Sequence, residues 1–365
     1  MNDVALTNKF LNEILVSYCV SPGEQFLLCL YVTIDKPSKA FIRVRNLKSD
    51  QKIKKYEVPI ELSSLAFHRD SFGLQLVQVS KAVGGKKIEF EHYIIVNTGD
   101  VLHFFTLEQL FSIGEYVPYK WRHNSSTDTV TSFHAYNVRG PDLQVVYCTK
   151  FGAIVKFDFD SNASSFKLVS EFKDAASDCI SHCEPCTSTH KNKDAIEIPE
   201  LVFSSFDNCI YSLEGTLQKF PAVDTLSEQK ILVSAVGVVA KQYSKKSLRY
   251  YVANVLNGGC HLFKRSANDT WDETRILERD TVLVEKSPLV NCCLTCQSRT
   301  QLQIVSGSES GKIYYWCYDY RDDNILESHV LQVAETQDIV YNLQVVGPSI
   351  YYMVNRDIVG SAIIP

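Results

Sequence analysis

Three cysteines and a histidine near the middle of the chain have side chains that could ligate a metal ion. The segment DCISHCEPCTSTH supplies Cys179, Cys183, Cys186 and His190, and three thiolates with one imidazole can form a tetrahedral zinc site. Their spacing matches no common zinc module, and the residues that follow, to Asp194, are polar and loop-like. The sequence therefore favours a plain loop between strands and keeps zinc as an alternative.

The same three cysteines have the C-x3-C-x2-C spacing of the iron–sulfur ligands in radical SAM enzymes. Those enzymes place an aromatic residue before the third cysteine, whereas Pro185 stands there in this chain. A second group, LVNCCLTCQ, holds Cys293 and Cys296 in a C-x-x-C pattern. Residues three apart on a strand point to opposite faces, so this pattern predicts core packing rather than paired thiols.

No local catalytic motif occurs in the chain. The run GSESG, at 307–311, places Glu309 where a nucleophile elbow requires serine. There is no G-x-G-x-x-G, no Walker A loop and no H-E-x-x-H, and the nine histidines are scattered. These observations predict no enzyme, no cofactor and no small-molecule substrate, although an enzyme with dispersed catalytic residues stays open as an alternative.

The strongest local charge lies near the start of the chain, where residues 35–55 carry eight basic and two acidic side chains. The basic residues are Lys36, Lys39, Arg43, Arg45, Lys48, Lys52, Lys54 and Lys55. One interpretation is a solvated edge strand that resists aggregation. Another is a docking patch for an acidic protein surface, for which all but Lys48 are our candidate partner-binding residues. Nucleic-acid or phosphoinositide binding is a third interpretation.

The composition sets limits on these interpretations. The chain has 365 residues, is 45% hydrophobic and 22% charged, and carries a net charge of -5, so it has no global attraction to nucleic acid. The first residues lack the basic and apolar regions of a signal peptide, and no apolar run is long enough to span a membrane. We therefore expect an intracellular protein, nuclear or cytoplasmic and not secreted, whose 12 cysteines are mostly reduced and buried.

Short runs rich in Val, Ile, Phe and Tyr dominate the chain, and they come in pairs around tight turns. The turns are centred near residues 99, 151, 207, 257, 310 and 355, and an earlier pair lies at Gln25–Thr33 and Lys39–Arg45. A period of roughly 50 residues, with room for two further strands in each interval, is typical of β-propeller blades. The pattern predicts an all-β fold.

We predict that residues 1–365 form a single β-propeller domain, with seven blades favoured and six or eight possible. The last unit has three clear strands, so we expect an N-terminal strand at about 11–20, containing Ile14–Val20, to close the ring. Three longer segments are predicted to be inter-strand loops or insertions, at 106–128, 174–196 and 264–285.

One unit indicates a family. The run IVSGSESGKIYYWCYD, at 304–319, resembles the end of a WD40 repeat, with Gly307 and Ser308, a turn at Gly311 and a strand reaching Trp316. The family usually has Asp-Gly at the turn and Asp after the Trp, whereas this chain has Ser-Gly and Cys317. The unit LVFSSFDNCIYSLEG equally resembles a quinoprotein-type blade. The chain is therefore similar to a divergent WD40-like propeller, with no subfamily identified.

The resemblance implies a non-catalytic scaffold or adaptor subunit of an intracellular multiprotein complex. Such a protein binds one or more protein partners through its propeller faces and inter-blade loops. A nucleic-acid or chromatin-associated propeller that uses the basic residues 36–55 is the first alternative. A propeller-fold enzyme is the second.

Overall fold

The computed structural model describes residues 4–7, 12–21, 23–33, 39–49, 53–60, 62, 72–83, 87–112, 116–125, 127–139, 142–188, 200–214, 216–221, 231–241, 247–255, 259–266, 289–296 and 300–364. These residues form almost nothing but strands, which are numbered in chain order. They divide into an N-terminal unit, Thr7–Ala175 with Arg356–Ile358, and a C-terminal unit that contains Met1–Leu6, Ala176–Asn355 and Val359–Pro365.

The chain begins with the two-residue strand β1 (Val4–Ala5), which belongs to the C-terminal unit. The N-terminal unit contains three four-stranded antiparallel sheets in which the strands follow chain order. The first sheet is β2 (Glu13–Val20), β3 (Phe26–Thr33), β4 (Ala40–Asn46) and β5 (Lys54–Val58). The second is β6 (Phe72–Val83), β7 (Lys87–Thr98), β8 (Val101–Thr106) and β9 (Tyr119–Arg122). The third is β10 (Val130–Arg139), β11 (Asp142–Thr149), β12 (Ile154–Asp160) and β13 (Ser165–Phe172).

The C-terminal unit contains four further sheets. The fourth sheet is β14 (Ile180–Pro185), β16 (Leu201–Ser205), β17 (Cys209–Glu214) and β18 (Thr216–Pro221). The fifth is β15 (Thr187–Ser188), β19 (Ile231–Lys241), β20 (Ser247–Val255) and β21 (Gly259–Ser266). The sixth is β22 (Leu289–Cys296), β23 (Gln301–Ser308), β24 (Lys312–Asp319) and β25 (Asn324–Gln332). The last is β26 (Val340–Val346), β27 (Ser349–Val354), β28 (Ile358–Ile363) and β1.

Seven four-stranded sheets make this chain a seven-bladed β-propeller, as the repeat pattern predicts. Each strand pair identified in the sequence forms two adjacent strands of one sheet, because alternation and a tight turn are local signals. The sixth-sheet turn requires glycine: Gly311 has φ +71°, and a Cβ there would lie 2.1 Å from the Glu335 carbonyl oxygen.

The closing strand is not the one we expected. Ile14–Val20 lies in β2, which pairs with β3 and begins the first sheet. Instead β1 completes the last sheet, with Val4 opposite Ser361 and Ala5 opposite Gly360. An N-terminal strand therefore does complete the last blade, but that strand is β1. The longer apolar run, Ile14–Val20, forms the first strand of the first blade.

Two of the three predicted loops contain regular structure. Segment 106–128 holds the short helix α1 (Leu107–Phe111) and β9, and the helix begins with a capping box between Thr106 and Gln109. Segment 174–196 holds β14, so our assignment of a plain loop there was wrong. Most of segment 264–285 lies outside the described residues.

The middle strands are buried on both faces, which explains their nearly continuous apolar sequences. In β8 every residue is buried, and both members of the pairs Tyr250/Tyr251 and Tyr351/Tyr352 are buried. Alternation sends the two residues of each pair to opposite faces of the sheet. Within the described ranges, no helix has the length and hydropathy needed to cross a membrane.

Candidate partner-binding surfaces

The basic run lies mainly in β4, β5 and the turn between them. In β4, Ile42 and Val44 are buried, while Arg43 and Arg45 lie on the opposite face, as alternation predicts. Lys36 and Lys52 lie outside the described residues.

Part of this charge is neutralised inside the first sheet. Arg43 Nη2 donates to Glu13 Oε2 at 2.7 Å, and Lys55 Nζ donates to Glu13 Oε1 at 2.5 Å. Lys55 Nζ also lies 3.7 Å from the centroid of the Phe41 ring. Lys39 pairs with Glu57 at 2.9 Å on the surface. Three of the predicted docking residues are therefore already engaged with carboxylates of their own sheet.

The contacts of Glu13 with Arg43 and Lys55, which we call the Glu13 clamp, change the pKa of the Glu13 carboxyl. Burial by itself raises the pKa of the carboxyl, but the hydrogen bonds and charges of Lys55 and Arg43 outweigh burial and lower it below its ordinary value. Arg43 and Lys55 are direct cross-strand neighbours, so Glu13 also separates two like charges that would otherwise repel each other.

The other face of β5 is different. Lys54 shares a face with Tyr56, whose ring centroid is 5.5 Å from that of Phe111 at the end of α1. Phe111 also contacts Phe26 edge-on at 6.3 Å, and its side chain is 39% exposed. Lys48, in the turn before β5, is exposed as well. We call Lys48, Lys54, Tyr56 and Phe111 the basic–aromatic surface.

Sequence reasoning named Lys54 as a candidate and Lys48 only as part of the basic run, and it missed Phe111. The capping box at Thr106 indicates a helix, but no local pattern indicates that Phe111, the last residue of that helix, packs against β5. That contact depends on tertiary packing between the first and second sheets.

The cysteine segment is packed rather than loop-like. Cys183 lies in β14 and is buried. Cys186 is also buried, and its backbone amide donates to the Glu200 carbonyl oxygen at 2.6 Å. Burial, followed by the nearby Glu200 carboxylate, raises the pKa of the Cys186 thiol well above its ordinary value. His190 lies outside the described residues, and no three potential ligands gather into a metal-binding group among those described.

Glu200 is the centre of a buried polar cluster that the sequence did not reveal. Its Oε1 accepts hydrogen bonds from Ser212 and, at 2.8 Å, from Tyr251, while its Oε2 lies 3.1 Å from Arg249 Nη1. Arg249 Nη2 also pairs with Glu214 at 2.6 Å. The cluster links the fourth and fifth sheets through buried ion pairs and hydrogen bonds, so its role is structural.

A histidine–aspartate pair in the N-terminal unit has a similar character. His123 Nε2 lies 3.5 Å from Asp128 Oδ2, and His123 Nδ1 lies 2.9 Å from Tyr147 Oη. Asp128 Oδ1 accepts the backbone amides of Thr129 at 2.9 Å and Phe151 at 3.1 Å. Burial raises the pKa of Asp128, but its hydrogen bonds outweigh burial and lower it. These contacts hold the segment before β10 against the turn between β11 and β12.

Comparison with known proteins supports the fold. No family model and no curated protein sequence matches the chain. The WD40 repeats of RRP9 match at 10% identity over 100% of both chains, with a TM-score of 0.59. A catalytically inactive virginiamycin B lyase from Staphylococcus aureus matches at 11% identity over 100% of this chain and 99% of the other, with a TM-score of 0.58.

A third similar structure is BBS1N in complex with ARL6DN. It matches at 10% identity over 100% of this chain and 96% of the other, with a TM-score of 0.55. At such low identities these likenesses establish the fold alone. The chain is a β-propeller whose fold is similar to that of WD40-repeat structures.

Proposed function

We propose that this propeller is a non-catalytic scaffold or adaptor subunit of a multiprotein complex, and that its basic–aromatic surface binds an acidic segment of a protein partner. The observation that carries the proposal is the exposed Phe111 ring beside the face of β5 that carries Lys54. Aromatic side chains are enriched at protein interfaces, and positive charge beside one steers an acidic partner toward it.

The charges of this surface are available in a way that those of Arg43 and Lys55 are not. Within the described residues, neither Lys48 nor Lys54 lies within ion-pairing distance of a carboxylate, and both side chains are exposed. An acidic partner would therefore gain new pairs without breaking existing ones. Such rim pairs mainly accelerate and orient association, while burial of Phe111 and Tyr56 supplies affinity.

The polar clusters support a non-catalytic role. The carboxylate of Glu200 is held by Arg249 and Tyr251, and that of Asp128 by His123 and turn amides. A general base must have a lone pair directed toward a substrate, whereas Glu200 Oε1 and Asp128 Oδ1 each accept two hydrogen bonds from internal donors. The lyase among the similar structures has the same fold, but fold does not determine function. A protein partner is the precedent in the BBS1N complex.

The test is carbodiimide cross-linking in cells that express the full chain, followed by purification and mass spectrometry. Carbodiimide joins a lysine amine directly to a carboxylate in contact with it, so it reports the chemistry of the partner as well as its identity. We expect Lys54 and Lys48 to be joined to Asp or Glu residues of another protein. The double variant Lys54→Glu with Phe111→Ser should lose that protein.

Lys167→Glu is the matched control, because Lys167 is an exposed lysine on the outer strand of the third sheet. The control should retain the partner. The proposal is wrong if the chain purifies alone and monomeric, or if the double variant and the control retain the same proteins. If nuclease removes the bound material from the wild-type chain, the nucleic-acid alternative replaces it.

A further inference from the structure

The outer strand of the sixth sheet differs from the outer strands of the first four sheets in its protection against pairing. Outer strands expose unpaired backbone groups, and proteins shield them with charged side chains, especially lysine, with proline or with β-bulges. Such shields are present in the sequences of β5 (KKYEV), β9 (YKWR), β13 (SFKLVSEF) and β18 (TLQKFP). The strand β25, NILESHVLQ, has no lysine, arginine or proline, carries a single acidic residue, Glu327, and is the longest of the five.

This strand is also highly exposed. Only Ile325 and Leu331 are partly buried, whereas the side chains of Leu326 and Val330 are 45% and 57% exposed. In the part of the chain that the structure describes, β25 pairs with β24 and with no second strand. Every second residue of such a strand directs its N–H and C=O away from the sheet.

The usable edge is the second part of the strand. A register shift at Leu326 separates Ile325 from Glu327, and from there six residues in succession pair with β24, ending with Gln332 opposite Lys312. Six residues of regular strand are about 20 Å long, which is enough for a short peptide to pair along them.

The two faces of this edge have different chemistry. Ser328 and Val330 stand opposite Trp316 and Tyr314, so an added residue on that face would meet a valine bordered by aromatic rings. On the other face, Glu327 lies beside His329 at 3.7 Å.

The turn that precedes β25 is acidic. Asp322 and Asp323 are both exposed in the turn before it, and the adjacent Arg321 is engaged with Asp319 at 3.2 Å. Asp322, Asp323 and Glu327 together favour a positively charged residue on a neighbouring strand.

We propose that β25 is a docking strand that accepts an extended segment of a partner protein as a fifth strand of the sixth sheet. The segment would carry apolar, β-branched or aromatic residues at alternate positions, one of them beside Val330, and a lysine or arginine near Glu327 and Asp323. Backbone hydrogen bonds along β25 supply affinity, and the alternating side chains supply specificity. This inference concerns a different surface from the basic–aromatic one and does not depend on it.

The test begins with a random library of peptides of about 12 residues displayed on phage, selected against the full chain and against the variant Ser328→Lys with Val330→Lys. Both positions are exposed, and the new lysines are shields of the kind that other outer strands carry. Thermal unfolding of the variant should match that of the wild type. Leu168→Lys, at a 45% exposed apolar residue of β13, is the control.

We expect the wild type and the control to enrich peptides with alternating apolar residues and a basic residue, and the double-lysine variant to bind them at least about tenfold more weakly. N-methylation of alternate peptide amides should abolish binding, while methylation of the amides between them should be tolerated. The inference is overturned if the enriched peptides bind the double-lysine variant equally, if N-methylation shows no alternation, or if no peptide is enriched. A wild-type dimer that the double-lysine variant abolishes would overturn it in favour of pairing between two copies.

Discussion

The outer strands of the first and sixth sheets manage their exposed edges in opposite ways. On β5, Lys55 is tied to Glu13, and among the described residues only Lys54 of that strand's lysines has no carboxylate partner, although the surrounding run is the most basic in the chain. On β25 there is no lysine or arginine, and apolar side chains face the solvent. The density of basic residues in the sequence therefore overstates how much positive charge the first sheet leaves for a partner. The sequence of β25 gives no comparable signal, although its edge is exposed and unshielded by lysine or arginine.

The two sheets also differ in what holds the outer strand to its neighbour. In the first sheet, the Glu13 carboxylate links Arg43 of β4 to Lys55 of β5. In the sixth, the Tyr315 ring of β24 stacks on the His329 ring of β25, with their centroids 5.9 Å apart. One sheet relies partly on a salt-sensitive ionic contact, and the other on aromatic packing.

The largest expected effect is that of Trp316→Ala. Trp316 is buried in the core cluster that contains Tyr314 and Tyr318, so the substitution removes a large apolar side chain and leaves a cavity. We expect the free energy of unfolding to fall by about 3–5 kcal/mol, measured by urea denaturation. The loss should be the same in low salt and in salt of about 1 M. A loss that shrinks in high salt would contradict packing as its cause.

A smaller effect is expected for Glu13→Gln. The substitution removes the carboxylate and leaves Arg43 and Lys55 directly opposite each other. We expect the free energy of unfolding to fall by about 1.5–3 kcal/mol at low salt, and by less in high salt, where the repulsion is screened. Equal losses at both salt concentrations would mean that the clamp acts through shape rather than charge.

The same variant makes the pH dependence specific. Because the folded protein lowers the pKa of Glu13, its contribution to stability is complete above the unfolded pKa, about 4.3, and is lost as the pH falls through the lower folded value. The stability difference between wild type and Glu13→Gln should therefore be largest near neutral pH and narrow below about pH 4. Other carboxyl groups titrate in both proteins and cancel in the difference.

The smallest effect is expected for Leu326→Lys. Leu326 is 45% exposed at the register shift of β25, where its side chain has little packing to lose. We expect the free energy of unfolding to change by no more than about 0.5 kcal/mol. A loss of several times that size would show that β25 needs this side chain for its own structure, which would remove the contrast with β5.

The parts of the fold that the sequence predicted are those with local causes. Alternation of apolar residues around a tight turn identified the strand pairs, such as 302–308 with 312–318, which became β23 and β24. The strand β14 escaped because Ser181, His182 and Glu184 interrupt its apolar pattern. The strands β1 and β15 have two residues each, and only distant partners define them.

The surfaces were predictable to a similar extent. The lysines of β5 were visible as a charge anomaly, but their neutralisation depends on Glu13, which is 42 positions away from Lys55. Burial of Glu200 depends on Arg249 and Tyr251, which belong to another sheet. Such contacts are decided by packing between sheets, which a local pattern does not encode.

The pairing of β1 with β28 has a consequence for how the chain is made. Ala5 pairs with Gly360, so the ribosome must add 360 − 5 = 355 residues before this strand meets its partner. At roughly 5–20 residues per second, that takes on the order of tens of seconds. During that interval β1 can pair with β28 of another copy, so the junction between β1 and β28 is the place where strand exchange between copies would begin.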